Sequence, residues 1–118
     1  MKTILDVLNA VDEKFTSPNT WCKGAYARDL AGDAVPEGEE NACCWCLSGC
    51  IIALTEDPKH RGIADNLGSD TLSFMNRFII RDSNNFYGGI VNWNDAQVRT
   101  FADIKDIIKR AKENLING

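Results

Sequence analysis

The sequence predicts a single domain, residues 1–118, with an α+β fold that is predominantly helical: about four helices packed around a short β element. The chain has 118 residues, of which 44% are hydrophobic, so it can bury a core without metals or disulfides. Apolar residues recur every three or four positions in its first and last segments, as in amphipathic helices. The run "IVNW" at 90–93 is the candidate β element, because branched and aromatic residues favour strands.

The first and last helices have the clearest signals. Thr3 is a favoured N-cap with Asp6 at the third helical position, and this helix should end near Phe15. Thr100 with Asp103 resembles a capping box and opens the last helix. The predicted core face of the first helix is Ile4, Leu8, Val11 and Phe15. The predicted core stripe of the last helix is Phe101, Ile104, Ile107, Ile108, Ala111 and Leu115.

The middle of the chain has weaker signals. Residues 21–41 hold three glycines and a run of acids, so we expect a long loop with a short helical turn at 25–30, either a lid or a disordered excursion. The stretch "ACCWCLSGCIIALTED" at 42–57 predicts a buried helix. Ser69 is the expected cap of a further helix whose apolar face is Leu72, Met75 and Ile79. A cluster of turn residues follows at 81–89.

Charge and the N-terminal sequence narrow the class of protein. With 13 basic and 17 acidic residues, a net charge of −4 and a pI near 4.9, the chain should be neither a general nucleic-acid binder nor a binder of anionic membranes. Asp6, Asp12 and Glu13 interrupt the first apolar segment, which excludes a secretory signal or a membrane span there. We expect a cytoplasmic protein.

The cysteines are candidate metal ligands. They are Cys22, Cys43, Cys44, Cys46 and Cys50. Zinc usually takes two short-spaced pairs of ligands from different segments, whereas only Cys43 and Cys46 form such a pair, with His60 as a further candidate. Since free cysteine behaves as a small buried hydrophobe, we predict reduced core thiols, no metal site and no cofactor.

His60 itself lies in the polar connector "DPKHRG", typical of a solvated loop, although Lys59-His60-Arg61 could meet a phosphate.

One helix carries an aromatic and arginine stripe: Phe74, Arg77, Phe78 and Arg81. Arginine forks suit phosphate or carboxylate, and aromatic rings suit bases. The plainer interpretation is that the phenylalanines belong to the core and the arginines to solvent.

The segment "WND" at 93–95 has two interpretations that stay open. Asn94 and Asp95 are typical of a turn that leaves a strand. Turn chemistry does not explain Trp93, whose indole could instead form the rim of a ligand site with these two side chains. Arg99, four residues after Asp95, adds a salt-bridge partner or an anion contact.

Three segments resemble a family of small uncharacterised domains of bacteria and their phages. They are "WCKG" at 21–24, "CLSGCIIA" at 46–53 and "WNDAQVRTFADIKDIIKRA" at 93–111. They are similar to the family's W-x-x-G, C-x-x-G-A-x-x-A and W-N-D motifs, except that Cys50 replaces an alanine. The resemblance implies a shared fold and a part in it for Trp21, Gly24, Cys46, Gly49, Trp93, Asn94 and Asp95, but no reaction.

Common NTPase, dinucleotide-binding, hydrolase-elbow and zincin motifs are absent from the sequence. The leading hypothesis is therefore a non-enzymatic binder of a small anionic ligand, for instance a phage protein that sequesters a nucleotide-derived immune signal. Its predicted ligand-binding residues are Trp21, Lys23, Arg77, Arg81, Trp93, Asn94, Asp95 and Arg99. One alternative is a protein-interaction domain that inhibits a host enzyme through its acidic "PEGEEN" loop at 36–41. Another is a small hydrolase with Asp95 as base, assisted by His60 or Asn94.

Overall fold

A computed structural model describes residues 1–56, 66–82 and 89–118. These ranges contain five α-helices, a short 3₁₀ turn at Pro18–Thr20 and a three-stranded sheet. The helices are α1 (Ile4–Lys14), α2 (Leu47–Glu56), α3 (Leu67–Asp82), α4 (Gly89–Asp95) and α5 (Phe101–Asn117). The strands are β1 (Ala27–Arg28), β2 (Ala34–Val35) and β3 (Cys44–Trp45). The predicted α+β, predominantly helical fold is confirmed, with five helices in these ranges rather than about four.

Both predicted helix starts are confirmed in atomic detail. The Thr3 hydroxyl accepts a hydrogen bond from the Asp6 N–H at 3.1 Å, and the Asp6 carboxylate accepts one from the Thr3 N–H at 3.1 Å. Thr100 and Asp103 form the same reciprocal pair at 3.2 and 2.9 Å. Each box satisfies N–H groups that a helix start leaves without partners.

The core lies between α1, α2, α3 and α5, which pack against one another. Its largest fully buried apolar side chains are Val7, Leu8, Val11, Phe15, Leu47, Ile51, Met75, Ile79, Ile104, Ile107 and Ile108. The predicted stripes of α1 and α5 supply most of this set. No helix within the described ranges is long and apolar enough to cross a membrane.

The sheet corrects two predictions for the middle of the chain. Its strand order is β2-β1-β3, antiparallel throughout, with Ala27 opposite both Val35 and Trp45. The helical turn predicted at 25–30 was wrong, because β1 occupies that stretch. The helix predicted from residue 42 begins only at Leu47, because the residues before it pair with β1 as β3.

A third correction concerns "IVNW", which is helical and not a strand. Its residues belong to α4, and the Ile90 N–H donates to the Asn76 side-chain oxygen of α3 at 3.1 Å. Gly89 precedes it with φ +69°, a conformation that glycine adopts without strain. The start of α4 is therefore held by a neighbouring helix, and Trp93-Asn94-Asp95 form its last turn rather than a turn after a strand.

The remaining helix, α3, begins slightly earlier than predicted. It starts at Leu67, after Asn66 with φ +66°, and not at a Ser69 cap. Met75 and Ile79 are buried as predicted. The predictions for His60 and its connector, and for the turn cluster at 83–88, lie outside the described residues.

Candidate functional site

The side-chain amide of Asn94 lies at the centre of a buried polar cluster, hereafter the Asn94 node. Its oxygen accepts hydrogen bonds from the Trp21 indole N–H at 2.8 Å and the Leu47 N–H at 3.0 Å. Its nitrogen donates to the Cys22 carbonyl at 3.1 Å and to an Asp95 carboxylate oxygen at 2.9 Å. An amide offers two acceptor sites and two donor hydrogens, so Asn94, which has no exposed surface, has no hydrogen-bonding site left for a ligand.

The node joins the three segments that carry the family resemblance. Asn94 reaches both the segment at 21–24 and the start of α2. The Asp95 oxygen Oδ1 also accepts the Gly24 N–H at 3.1 Å. The Lys23 ammonium donates to the carbonyls of Ala96 and Gln97 at 2.8 and 3.4 Å. In this chain the three segments are therefore joined directly by hydrogen bonds.

Two further motif residues have steric or capping roles. A methyl group on Gly49 would overlap the Tyr26 carbonyl oxygen and lie 2.8 Å from its carbon, so only glycine lets α2 approach that backbone. Cys46 directly precedes α2, and its sulfur accepts the Gly49 N–H at 3.2 Å. Burial raises the pKa of the Cys46 thiol, and the nearby Asp95 charge raises it further against the opposing effect of the backbone N–H groups.

Trp93 is a core side chain, only 3% exposed, that packs against a cation. The Arg99 guanidinium lies 4.0 Å from the Trp93 ring centroid, and its Nε donates to the Trp93 carbonyl at 2.7 Å. A cation over an indole face is favourable, more so when it is partly desolvated. One face of the ring is thus occupied from within the chain.

The structure brings together six of the eight predicted ligand-binding residues but not the other two. Trp21, Lys23, Trp93, Asn94, Asp95 and Arg99 all belong to the node or border it. Arg77 and Arg81 are exposed on α3, whereas Phe74 and Phe78 pack against the core with their ring centroids 6.1 Å apart. The phenylalanines of this stripe therefore lie against the core and the arginines in solvent, as the plainer interpretation predicted.

A separate cavity lies away from the node and is hereafter called the glutamate groove. Its volume is about 520 Å³. It is lined by Lys14, Glu37, Gly38, Glu39, Glu40, Ala42, Trp45, Ala53, Leu54 and Glu56. Trp45 forms its aromatic wall, with the Lys14 ammonium 4.5 Å from the ring centroid and the indole N–H donating to the Glu37 carbonyl at 3.1 Å. Four glutamates, one lysine and one indole therefore line the same cavity.

A second cleft of about 390 Å³ adjoins this groove. The two share Glu40 and Ala42 in their linings. The second cleft also includes Leu30, whose side chain is 95% exposed. The acidic loop at 36–41 is apparent from the sequence, whereas Lys14 and Trp45 are not, because the pairing of β3 with β1 brings the Trp45 indole to the loop.

The cysteines form no recognisable metal centre. Within the described ranges, no group of three or more His, Cys, Asp or Glu side chains is placed to hold a metal ion. All five thiols are free. Burial raises the pKa of Cys22 and of Cys50 to about 12, which keeps both thiols protonated at neutral pH.

Comparison with known proteins identifies the family of the chain. A family model described as "Family of unknown function (DUF6197)" matches residues 1–114. Neither the curated proteins nor the solved structures provide a match. Since the model covers nearly the whole chain, the protein belongs to the DUF6197 family, whose function is unknown.

Proposed function

We propose that the protein is a non-enzymatic interaction domain whose glutamate groove binds a basic segment of a partner protein. The observation that carries this proposal is the lining of the groove, which includes four glutamates, the Trp45 ring and one basic side chain, that of Lys14. A groove lined by one sign of charge attracts partners of the opposite sign and speeds their association.

The acidic loop is held in place before any partner arrives. The Trp45 indole N–H fixes the Glu37 carbonyl, and the backbone bonds Glu39 N–H to Pro36 C=O and Ala42 N–H to Glu39 C=O, both 3.1 Å, shape the turns between. Ordering a loop on binding costs free energy that a preformed loop avoids. The groove is therefore suited to binding without a large rearrangement.

The indole of Trp45 supports recognition of a cation in particular. The Lys14 ammonium lies 4.5 Å from the centroid of this ring, which supports the ring as a site for a positive group. An arginine or lysine of the partner would compete with Lys14 for this face and would be flanked by the glutamates. Such a contact is worth about 0.5–2 kcal/mol, depending on how fully it is desolvated.

The adjoining cleft favours a polypeptide over a small cation. Because the two cavities share Glu40 and Ala42, an extended segment can place basic side chains in the groove and an apolar side chain near the exposed Leu30. Binding rather than catalysis fits the Asn94 node as well. Its amide is saturated, and the raised pKa of Cys46 leaves a thiol that is a weak nucleophile.

The test measures binding of basic peptides by isothermal titration calorimetry. A lysine- and arginine-rich peptide of about ten residues should bind the wild-type protein, and raising the salt concentration should weaken binding because salt screens exposed charges. The variant Glu37→Gln/Glu39→Gln/Glu40→Gln should bind at least tenfold more weakly.

A matched control separates the groove from overall charge. The variant Glu13→Gln/Asp106→Asn/Glu113→Gln removes the same number of charges from exposed positions on α1 and α5 and should bind like the wild type. An equal loss of peptide affinity in both variants would show that net charge, and not the groove, determines binding. If spermine binds as tightly as the peptide, the ligand is a small polyamine and not a segment of a partner protein.

A second candidate is sequestration of a nucleotide-derived immune signal by a phage protein. One observation favours it: Arg77 and Arg81 are exposed one turn apart on α3, and neither forms an ion pair within the described part of the chain. Titration with a panel of nucleotide signals, for the wild type and for Arg77→Ala/Arg81→Ala, tests it. Absence of binding, or equal binding by both proteins, would remove this candidate.

A further inference from the structure

A separate cavity of about 180 Å³ lies beside the Asn94 node, hereafter the node cavity. It is lined by Gly24, Ala25, Tyr26, Cys46, Val91 and Asp95. It shares none of these residues with the glutamate groove, so a ligand here would be independent of the function proposed above.

The Asp95 carboxylate is only partly used by the fold. Its oxygen Oδ1 accepts both the Gly24 N–H and the Asn94 amide. From the described part of the chain, no hydrogen-bond donor reaches the other oxygen, Oδ2. Asp95 lines the cavity, so a negatively charged acceptor remains available to a molecule bound there.

The other walls carry no positive charge. The Lys23 ammonium is held by the Ala96 and Gln97 carbonyls, and Lys23 is not part of the lining. The Cys46 sulfur serves as the acceptor for Gly49. Ala25 and Val91 supply apolar surface. The cavity therefore has one anionic end and an aliphatic wall.

We propose that the node cavity binds a small primary ammonium compound, with its ammonium group on Asp95 and a short aliphatic body against Ala25 and Val91. At about 30 Å³ for each water in the liquid, the volume corresponds to about six water molecules. A chain of five carbons with one nitrogen matches that size. Hydrogen bonds to an ionised group are stronger than neutral ones, so Asp95 supplies the selectivity.

The test uses n-pentylammonium as the probe, followed by amide chemical shifts in the nuclear magnetic resonance spectrum. Saturable shifts are expected at Gly24, Ala25 and Val91. The isosteric neutral compound n-pentanol should bind at least tenfold more weakly, and n-pentanoate should not bind. These three titrations use the unmodified protein, so no variant has to fold for the proposal to be tested.

Two variants assign the recognition to the cavity. Asp95→Asn keeps an oxygen for the Gly24 N–H but loses the charge, and it should weaken n-pentylammonium binding about tenfold or more. Ala25→Leu fills the cavity and should abolish binding, whereas Asp106→Asn on α5 should have no effect. Shifts confined to the groove residues, equal binding of pentanol, or undiminished binding by Asp95→Asn would each overturn the proposal.

Discussion

The Asn94 node and the glutamate groove are both polar, yet they stand in opposite relations to the fold. At the node every hydrogen-bonding site of a fully buried amide has a partner. The groove is lined by four glutamates and one lysine. Buried polar groups must be paired to be tolerated, whereas charges near solvent are kept without partners at little cost. The node therefore contributes to the stability of the fold, whereas the groove carboxylates are available for the binding proposed above.

The largest expected effect is on stability at the node. Asn94→Ala removes the partner of the Trp21 indole, the Leu47 N–H and the Cys22 carbonyl together. Leaving buried donors and acceptors unpaired should lower the free energy of unfolding by about 3–5 kcal/mol. Urea denaturation followed by circular dichroism measures it. The control Asn9→Ala, at an exposed position of α1, should change stability by less than about 0.5 kcal/mol.

The next largest effect is expected where Gly49 of α2 lies against the Tyr26 backbone. Gly49→Ala places a methyl group into the Tyr26 carbonyl, and the shift this forces should cost about 2–3 kcal/mol. The matched control is Gly38→Ala in the groove, where a methyl group would meet nothing within 4 Å. Equal melting temperatures for the two variants would show that α2 can move away from Tyr26.

Between the two regions lies Cys50, in the middle of α2. Its folded-state pKa is raised to about 12 from 9.0, so the unfolded chain loses this proton at a lower pH than the folded one. The contribution of the protonated thiol to the free energy of unfolding is complete below pH 9 and is lost as the pH rises toward 12. Between pH 8 and pH 10 the free energy of unfolding should fall by about 1 kcal/mol more in the wild type than in Cys50→Ala. Parallel curves for the two proteins would contradict this.

The smallest expected effect is on stability at the groove. Glu39→Gln/Glu40→Gln removes two exposed charges, so the free energy of unfolding should change by less than about 0.5 kcal/mol. Thermal melts at low and high salt provide the measurement. A loss comparable to that of Asn94→Ala would show that these carboxylates support the fold and would remove the contrast between the two regions.

The parts of the fold that could be predicted from the sequence are those with local causes. The starts of α1 and α5 depend on Thr3, Thr100 and the acids three residues later, and their core stripes on periodic apolar residues. The start of α4 depends on Asn76 in another helix, whereas its branched residues taken alone predict a strand. The helix predicted from residue 42 includes Cys43 and Cys44, because nothing in the local sequence indicates that β1 pairs with this stretch.

The same distinction applies to the candidate sites. Trp21, Asn94 and Asp95 were singled out, and they do meet, but their shared hydrogen bonds join segments far apart in the sequence. The acidic run at 36–41 is visible in the sequence as a possible contact surface. The roles of Lys14 and Trp45 beside it were not, because a groove is a property of the assembled chain rather than of any segment.

The hydrogen bond between the Trp21 indole and Asn94 joins residues 73 positions apart. Closing so long a loop carries a larger entropic cost than forming a capped helix such as α1. During refolding, helical signals should therefore precede the change in Trp21 fluorescence that accompanies this bond. If Asn94→Ala mainly speeds unfolding and leaves the refolding rate nearly unchanged, the bond forms after the transition state. The amide would then act as a latch on an already assembled chain.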